Sequence, residues 1–170
     1  MDAKYQPAVS ALQERWGAVV SEFRGEITCT LSPDTIIAAV TALRDEFNFE
    51  HFVDVTAVDY WPNEQPRFHL VYHIRSMAHK LVLCLRVPLD GNFPEISTIE
   101  TIYPGANWYE REVYDMFGVK FNGHSDMRRI LMPHDWTGHP LRKDYPLGYE
   151  EVQFSFNFDE ISGRKPHPKE

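Results

Sequence analysis

The stretch HFVDVTAVDYWPNEQPRFHLVYHIRSMAHKLVLCLRV (51–87) decides the fold. It contains three strand-like runs, His51 to Tyr60, Arg67 to Arg75 and Lys80 to Val87, each alternating one apolar face. Leu81, Leu83, Leu85 and Val87 form the clearest such face, with Lys80, Val82, Cys84 and Arg86 opposite. The connections WPNEQP (61–66) and Ser76 to His79 are too short for the helix that a parallel crossover needs. The spacing therefore predicts an antiparallel meander whose second face is either wet or covered.

On the N-terminal side, Val9, Leu12, Trp16, Val19, Val20 and Phe23 recur every three or four residues, which predicts an amphipathic helix over 5–23 ended by Gly25. Glu26 to Leu31 alternates as a half-buried strand. Ser32-Pro33-Asp34 then opens a second helix, with Ser32 as its cap and Ile36, Ile37, Val40, Leu43 and Phe47 as its apolar stripe, running to about Asn48. On the C-terminal side, Glu95 to Tyr103 reads as a short helix with Ile96, Ile99 and Tyr103 aligned. Asn107 is placed to cap a further helix, WYEREVYDMF (108–117), and Gly118 supplies a left-handed exit. Beyond it come Pro133, Pro140, Pro146, Pro166 and Pro168 with little periodicity, except that Val152, Phe154, Phe156 and Phe158 alternate. That alternation suggests an edge strand offered to a partner, or the filling of an apolar groove. The expectation is a two-layer α+β fold, helices packed on a mainly antiparallel sheet, comprising a domain at 1–118 and an extended C-terminal arm at 119–170.

With 170 residues, 43% of them hydrophobic, the chain is long enough for a real core. Twenty-five acids against 17 bases leave a net charge of −8, which argues against a nucleic-acid partner. No run approaches the ~20 apolar residues of a membrane span, and MDAKYQP (1–7) lacks the blocks of a signal peptide. Cys29 and Cys84 each sit in an alternating apolar run and read as reduced packing thiols. Two thiols are too few to ligate an iron–sulfur cluster alone.

Phosphate-cradling glycine loops and a nucleophile elbow are both missing from the sequence. His124, Asp126, His134, Asp135 and His139 lie close in sequence and carry zinc- or iron-ligating groups, so a metalloenzyme using His124, His134 and His139 stands as an alternative. Their spacing lacks the one-turn placement of helical sites. His69 and His73 share a sheet face. Asp54 and Asp59 point to opposite faces, so Asp59 reads as a strand terminator accepting turn hydrogen bonds. In helix 108–117, Glu110, Arg111, Glu112 and Asp115 form a charged group beside Trp108, Tyr109, Tyr114, Met116 and Phe117, with Arg111 and Asp115 in direct i, i+4 register. Arg128, Arg129, Arg142 and Lys143 concentrate positive charge close by, a composition typical of interfaces.

The stretch EREVYDMFGVKFNGHSDMRRILMPHDWTGHPLRKDYPL (110–147) closely resembles the signature region of the 30-kilodalton subunit, or C subunit, of respiratory complex I. Glu110, Arg111, Glu112, Asp115, Met116, Phe117, His124, Arg128, Ile130 and Leu131 satisfy every term of that pattern, and the likeness runs over roughly residues 35 to 150. The resemblance implies a subunit of a proton-pumping NADH:quinone oxidoreductase that itself binds no flavin, cluster or quinone, since FMN, iron–sulfur clusters and quinone belong to other subunits. It implies a non-catalytic chain bracing the 49-kilodalton (D) subunit, with the B and I subunits nearby, on the cytoplasmic side of a bacterial plasma membrane reached only through the complex. Glu110, Arg111, Glu112, Asp115, His124, Arg128, Arg129, Arg142, Lys143 and Asp144 are the residues it marks for holding the arm on the domain or docking it on the partner. The equivalent piece of a membrane-bound nickel–iron hydrogenase-like or ferredoxin-dependent complex is the alternative within the same superfamily.

Overall fold

The structure, a computed structural model, describes residues 3–63, 65–145 and 156–164. The expected meander is present: β3 (His51–Asp59), β4 (Phe68–Ser76) and β5 (Leu81–Leu89) pair antiparallel in sequence order. Phe68, Leu70, Tyr72, Ile74, Leu83, Leu85 and Val87 are fully enclosed on the inner face, whereas His69, Val71, His73, Val82 and Cys84 are half-buried on the other. The alternation seen in the sequence is thus the division between core and outer face.

The N-terminal segment differs from its reading. The helix α1 (Gln6–Trp16) stops at Gly17, whose positive φ of 65° turns the chain so that the Ala18 N–H reaches back to the Leu12 carbonyl. Val19–Phe23 is a strand, β1, hairpinned to β2 (Glu26–Thr30) through Arg24 and Gly25, both at positive φ. That turn has the twist a tight hairpin requires. The apolar residues in phase with the helical stripe are misleading, because Val19 and Phe23 are 68% and 70% exposed. β2 then lies parallel to β5, with Cys29 opposite Leu85, completing a five-stranded sheet in the order β1-β2-β5-β4-β3.

The helix α2 (Ile36–Phe47) follows a single 3-10 turn (Pro33–Thr35) and buries Ile36, Ala39, Val40 and Leu43, the 3.6-residue stripe anticipated. Ser32 makes no side-chain cap; instead the Thr35 hydroxyl donates to the Ser32 carbonyl. α1 and α2 pack together, and their buried faces join one core with the inner sheet face.

The expected helix at 95–103 is a three-residue strand, β6 (Glu95–Ser97), followed by a turn. Ile96, Ile99 and Tyr103 are buried as the pattern required, but β6 takes its backbone partner from β7 (Lys120–Asn122), parallel and 25 residues away in sequence. Local periodicity cannot see that partner. β7 also means that the segment beyond residue 118 opens in regular structure before the arm begins. The helix α3 (Ala106–Phe117) starts earlier than capping by Asn107 would give, with Gly105 at its N-cap. It packs beside β3, where Phe52 meets the rings of Tyr103 and Tyr109. Phe158 opens a short helix, α4 (Phe158–Arg164), with Asp159 and Glu160 favourably placed at its start, and is not in a strand. Val152 and Phe154 lie outside the described residues.

Leu85 sits at the centre of β5 with no exposed surface. Leu85→Ala is expected to lower stability by about 2–5 kcal/mol through lost contacts and a residual cavity, read as a shifted denaturant midpoint with an unchanged slope.

Candidate functional site

Two charged residues of α3, Arg111 and Asp115, converge on the arm. Asp115 is fully enclosed, and its Oδ2 accepts the backbone N–H groups of Ile130, Leu131 and Met132 at 3.0, 2.8 and 2.8 Å. Its Oδ1 accepts Arg129 Nη1 at 2.6 Å. Burial pushes the Asp115 carboxyl up, but the three amides and Arg129 outweigh it and hold the group below its ordinary range. A buried carboxylate with this many charge-assisted bonds defines the local path of the chain.

Arg111 does not pair with Asp115 despite their register. Its Nε and Nη2 donate to the Arg128 and Arg129 carbonyls at 3.1 and 3.4 Å, and its guanidinium lies over the Trp108 ring. Both side chains serve arm backbone, so an intrahelical pair would leave groups on the arm unpaired. Arg129 also donates to the Gly138 carbonyl at 2.9 Å. His139 Nδ1 meets the Asp115 carbonyl at 3.0 Å, and Arg142 Nε donates to the Phe117 carbonyl at 2.6 Å. The last carbonyls of α3, which have no partner within the helix, are thereby capped by arm side chains. Gly118 allows this approach: its φ is +75°, and a Cβ there would come within 2.5 Å of His139 and 2.8 Å of Arg142.

A second junction joins the end of the β3–β4 hairpin to the arm. Arg67 Nη2 donates to Asp59 Oδ2 at 2.8 Å and to Asp144 Oδ1 at 2.7 Å, and Asp59 Oδ2 also accepts the Lys143 backbone N–H at 2.9 Å. Asp59 therefore does more than end a strand. Burial raises its carboxyl, but Arg67 and the Lys143 and Trp61 amides pull it down to about 2. The available signal was opposite charge at the two facing ends of the β3–β4 hairpin, Asp59 and Arg67.

The other marked residues separate. Glu110 is enclosed and accepts the Ile99 N–H at 2.9 Å and the Thr98 hydroxyl. Glu112 is exposed. The His124 side chain has no exposed surface and touches the Asn107 carbonyl at 3.1 Å. Asn107, read as a cap, turns its amide to Glu100 and Ser125. Arg128 is not part of a continuous basic strip: its side chain is 75% exposed and pairs with Asp126, while neighbouring Arg129 is nearly enclosed. The Lys143 residue is exposed and contributes its backbone N–H to the junction. His124 and His139 are engaged with different backbone carbonyls and His134 is exposed. Among the described residues no three His, Cys, Asp or Glu side chains are placed to share a metal ion. Burial pushes the Cys29 thiol up to about 12 and raises that of Cys84. His73 Nδ1 lies 2.6 Å from Asp54 on the half-buried sheet face.

The sequence profile of the family described as respiratory-chain NADH dehydrogenase, 30 Kd subunit, matches residues 29–151, which include both junctions. The chain belongs to this family. Relatives within it include the NADH-quinone oxidoreductase C subunit of Roseiflexus sp. (strain RS-1), 46% identical over 152 residues and covering 88% of this chain and 87% of the relative. That of Geobacter sulfurreducens is 44% identical, covering 85% and 91%. Two solved structures share the fold. One is Nqo5 of the trypsin-resistant fragment (1-134), with a TM-score of 0.65 and 25% identity over 72% of this chain and 98% of that one. The other is a chain of the membrane-bound sulfane sulfur reductase, an archaeal respiratory membrane complex, with a TM-score of 0.74 and 27% identity over 88% and 94%. No helix among the described residues is long and apolar enough to cross a membrane.

Asp115→Ala removes the shared acceptor of Arg129 and three amides and is expected to cost about 3–5 kcal/mol, seen in thermal melting of the full chain. Asp59 and Asp115 have lowered carboxyl pKa values when folded. Their contribution is therefore complete above the ordinary carboxylate range and is lost as pH falls through their folded values. Melting temperature should drop steeply as pH falls from about 4 toward 2, with a shallower fall in Asp59→Asn.

Proposed function

We propose that this chain is the non-catalytic 30-kilodalton (C) subunit of a proton-translocating NADH:quinone oxidoreductase, bracing the 49-kilodalton (D) subunit that forms the quinone site within the peripheral arm of that complex. The observation that carries this reading is the 46% identity, over most of both chains, to a protein named as the C subunit of NADH-quinone oxidoreductase. The local chemistry is consistent with it. Arg111, Asp115 and Arg142 of the signature region are spent on backbone groups across the α3–arm junction, an arrangement that builds a rigid surface and leaves little for substrate. In this reading FMN, the iron–sulfur clusters and quinone sit in other subunits. The chain contacts the 49-kilodalton subunit, with the B and I subunits close by, and meets the cytoplasmic side of a bacterial plasma membrane only through them.

The surface proposed for docking is the outer side of the α3–arm junction. Trp108, Leu131 and Leu141 are 61%, 60% and 54% exposed there, next to the exposed cation of Arg128. Large apolar side chains with an arginine at the rim are the usual composition of an interface centre. The likeness to a chain of an archaeal respiratory membrane complex supports a second reading, in which the chain fills the same position in a related complex with another electron donor.

Affinity capture of the tagged chain from its native membranes in mild detergent, followed by mass spectrometry, tests both. Recovery of flavin- and cluster-bearing NADH-oxidising subunits together with the 49-kilodalton subunit supports the first reading; recovery with hydrogenase-like or ferredoxin-oxidising subunits supports the second; recovery of the chain alone removes both. Leu131→Glu is expected to leave the melting of the isolated chain within about 0.5 kcal/mol of the parent while sharply reducing recovery of the 49-kilodalton subunit. Equal capture by parent and variant would take Leu131 out of the interface.

A further inference from the structure

Glu110, Glu100 and His124 form a second buried cluster, on the side of α3 facing β6 and the turn at 123–126. The tautomer of His124 follows from its neighbours. The Asp126 backbone N–H points at Nδ1 at 3.0 Å and can only donate, so Nδ1 carries no hydrogen. Nε2 faces the Asn107 carbonyl at 3.1 Å, which can only accept, so Nε2 carries the hydrogen. His124 is thus a neutral ring bridging the first turn of α3 to the start of the arm. A second proton on Nδ1 would set two donors against each other.

Because His124 is neutral, its approach to Glu110 Oε2 and to Glu100 Oε2, 3.9 Å in each case, is not an ion pair. Among the described residues Glu110 then has no counter-ion. The groups facing it are the Thr98 hydroxyl and Ile99 amide next to β6, the Glu100 carboxylate, neutral His124, and the enclosed Tyr72 hydroxyl of β4. On its own helix, Arg111 is turned to the arm carbonyls and Glu112 is exposed. Glu100 differs in having partners for its charge: it accepts the Ser125 hydroxyl at 2.6 Å, the Ser125 amide at 2.9 Å and Asn107 Nδ2 at 2.8 Å.

We propose that Glu110 is a proton-operated latch on the arm: in its neutral form it leaves His124 bridging Asn107 to Asp126, and when ionised it competes for the His124 Nε2 hydrogen and opens the 123–126 turn. Two carboxylates a few ångströms apart are placed in opposite protonation states by their surroundings. Burial first, and the Glu100 charge after it, push the Glu110 carboxyl up to about 7 against the Thr98 and Ile99 bonds, while the Ser125 and Asn107 bonds hold Glu100 below its ordinary range. The closed form keeps a proton that the opened form gives up. Opening is therefore promoted as pH rises from the ordinary glutamate value toward about 7 and levels off above it.

Hydrogen exchange of the amides at 123–128, followed in the full chain from pH 5 to 8 and divided by the intrinsic rates, tests this with the β4 and β5 amides as reference. The expected result is exchange at 123–128 that is faster than in the strands and accelerates about tenfold per pH unit up to neutrality, with a flat profile in Glu110→Gln. The same slope in parent and variant, or exchange at 123–128 only as slow as the strands, overturns the latch. Should Glu110→Gln not fold, the ring-nitrogen resonances of His124 in the parent chain decide. An Nε2–H ring whose Nε2 proton resonance moves between pH 5 and 8 as its acceptor changes upholds the proposal, and the Nδ1–H tautomer or an unmoved Nε2 resonance rejects it.

Discussion

A single carboxylate, Asp115, gives the C-terminal half of this protein its geometry. Residues 130–132 have no strand or helix to receive their N–H groups, and a buried amide left without an acceptor is costly. One oxygen of Asp115 takes all three, and the other takes Arg129. The arrangement is mutual: an enclosed carboxylate is tolerable only when its lone pairs are filled, and the arm fills them. Arg111, Arg142 and His139 extend the same exchange, since their donors meet main-chain carbonyls on the opposite side of the junction. The arm is consequently held by its backbone together with the side chains of Arg129, His139, Arg142 and Asp144.

What the sequence revealed follows the range of the interactions involved. The meander was readable because alternation and short loops are local, and each strand's partner is the next strand. α2 was readable because its stripe runs its full length. The first helix was overextended because Val19, Val20 and Phe23 fall into helical phase by coincidence, although Gly17 and the Arg24–Gly25 pair carried the contrary signal. β6 was mistaken for a helix because its partner, β7, lies across the whole of α3 in sequence.

The candidate site divides in the same way. The resemblance marked Arg111, Asp115 and Arg129, which meet where α3 touches the arm, together with Glu110, which turns to Thr98 and Ile99, and Glu112 and Arg128, which are exposed; spacing alone assigned Arg111 to the wrong partner. Arg67 escaped notice because its two carboxylates come from the chain's middle and from the arm, 8 and 77 residues distant. Neither Thr98 nor Glu100 belongs to any motif; they matter because β6 brings them beside α3. Burial decides which charged residues are structural, and burial of a charge is a non-local property.

The parallel pairing of β2 with β5 has a consequence for synthesis of the chain. The strand that occupies the centre of the sheet, between β2 and β4, is the last of the five to be made. Until residues 81–89 emerge from the ribosome, the β1–β2 hairpin has no partner on its inner edge, and Ile27 and Cys29 have only α1 and α2 to shelter them. Closure of the sheet then waits on a contact spanning 56 residues, a slow kind of step. The nascent N-terminal third therefore passes through a stage in which an open strand edge and apolar side chains coexist, the combination that invites mispairing between neighbouring chains.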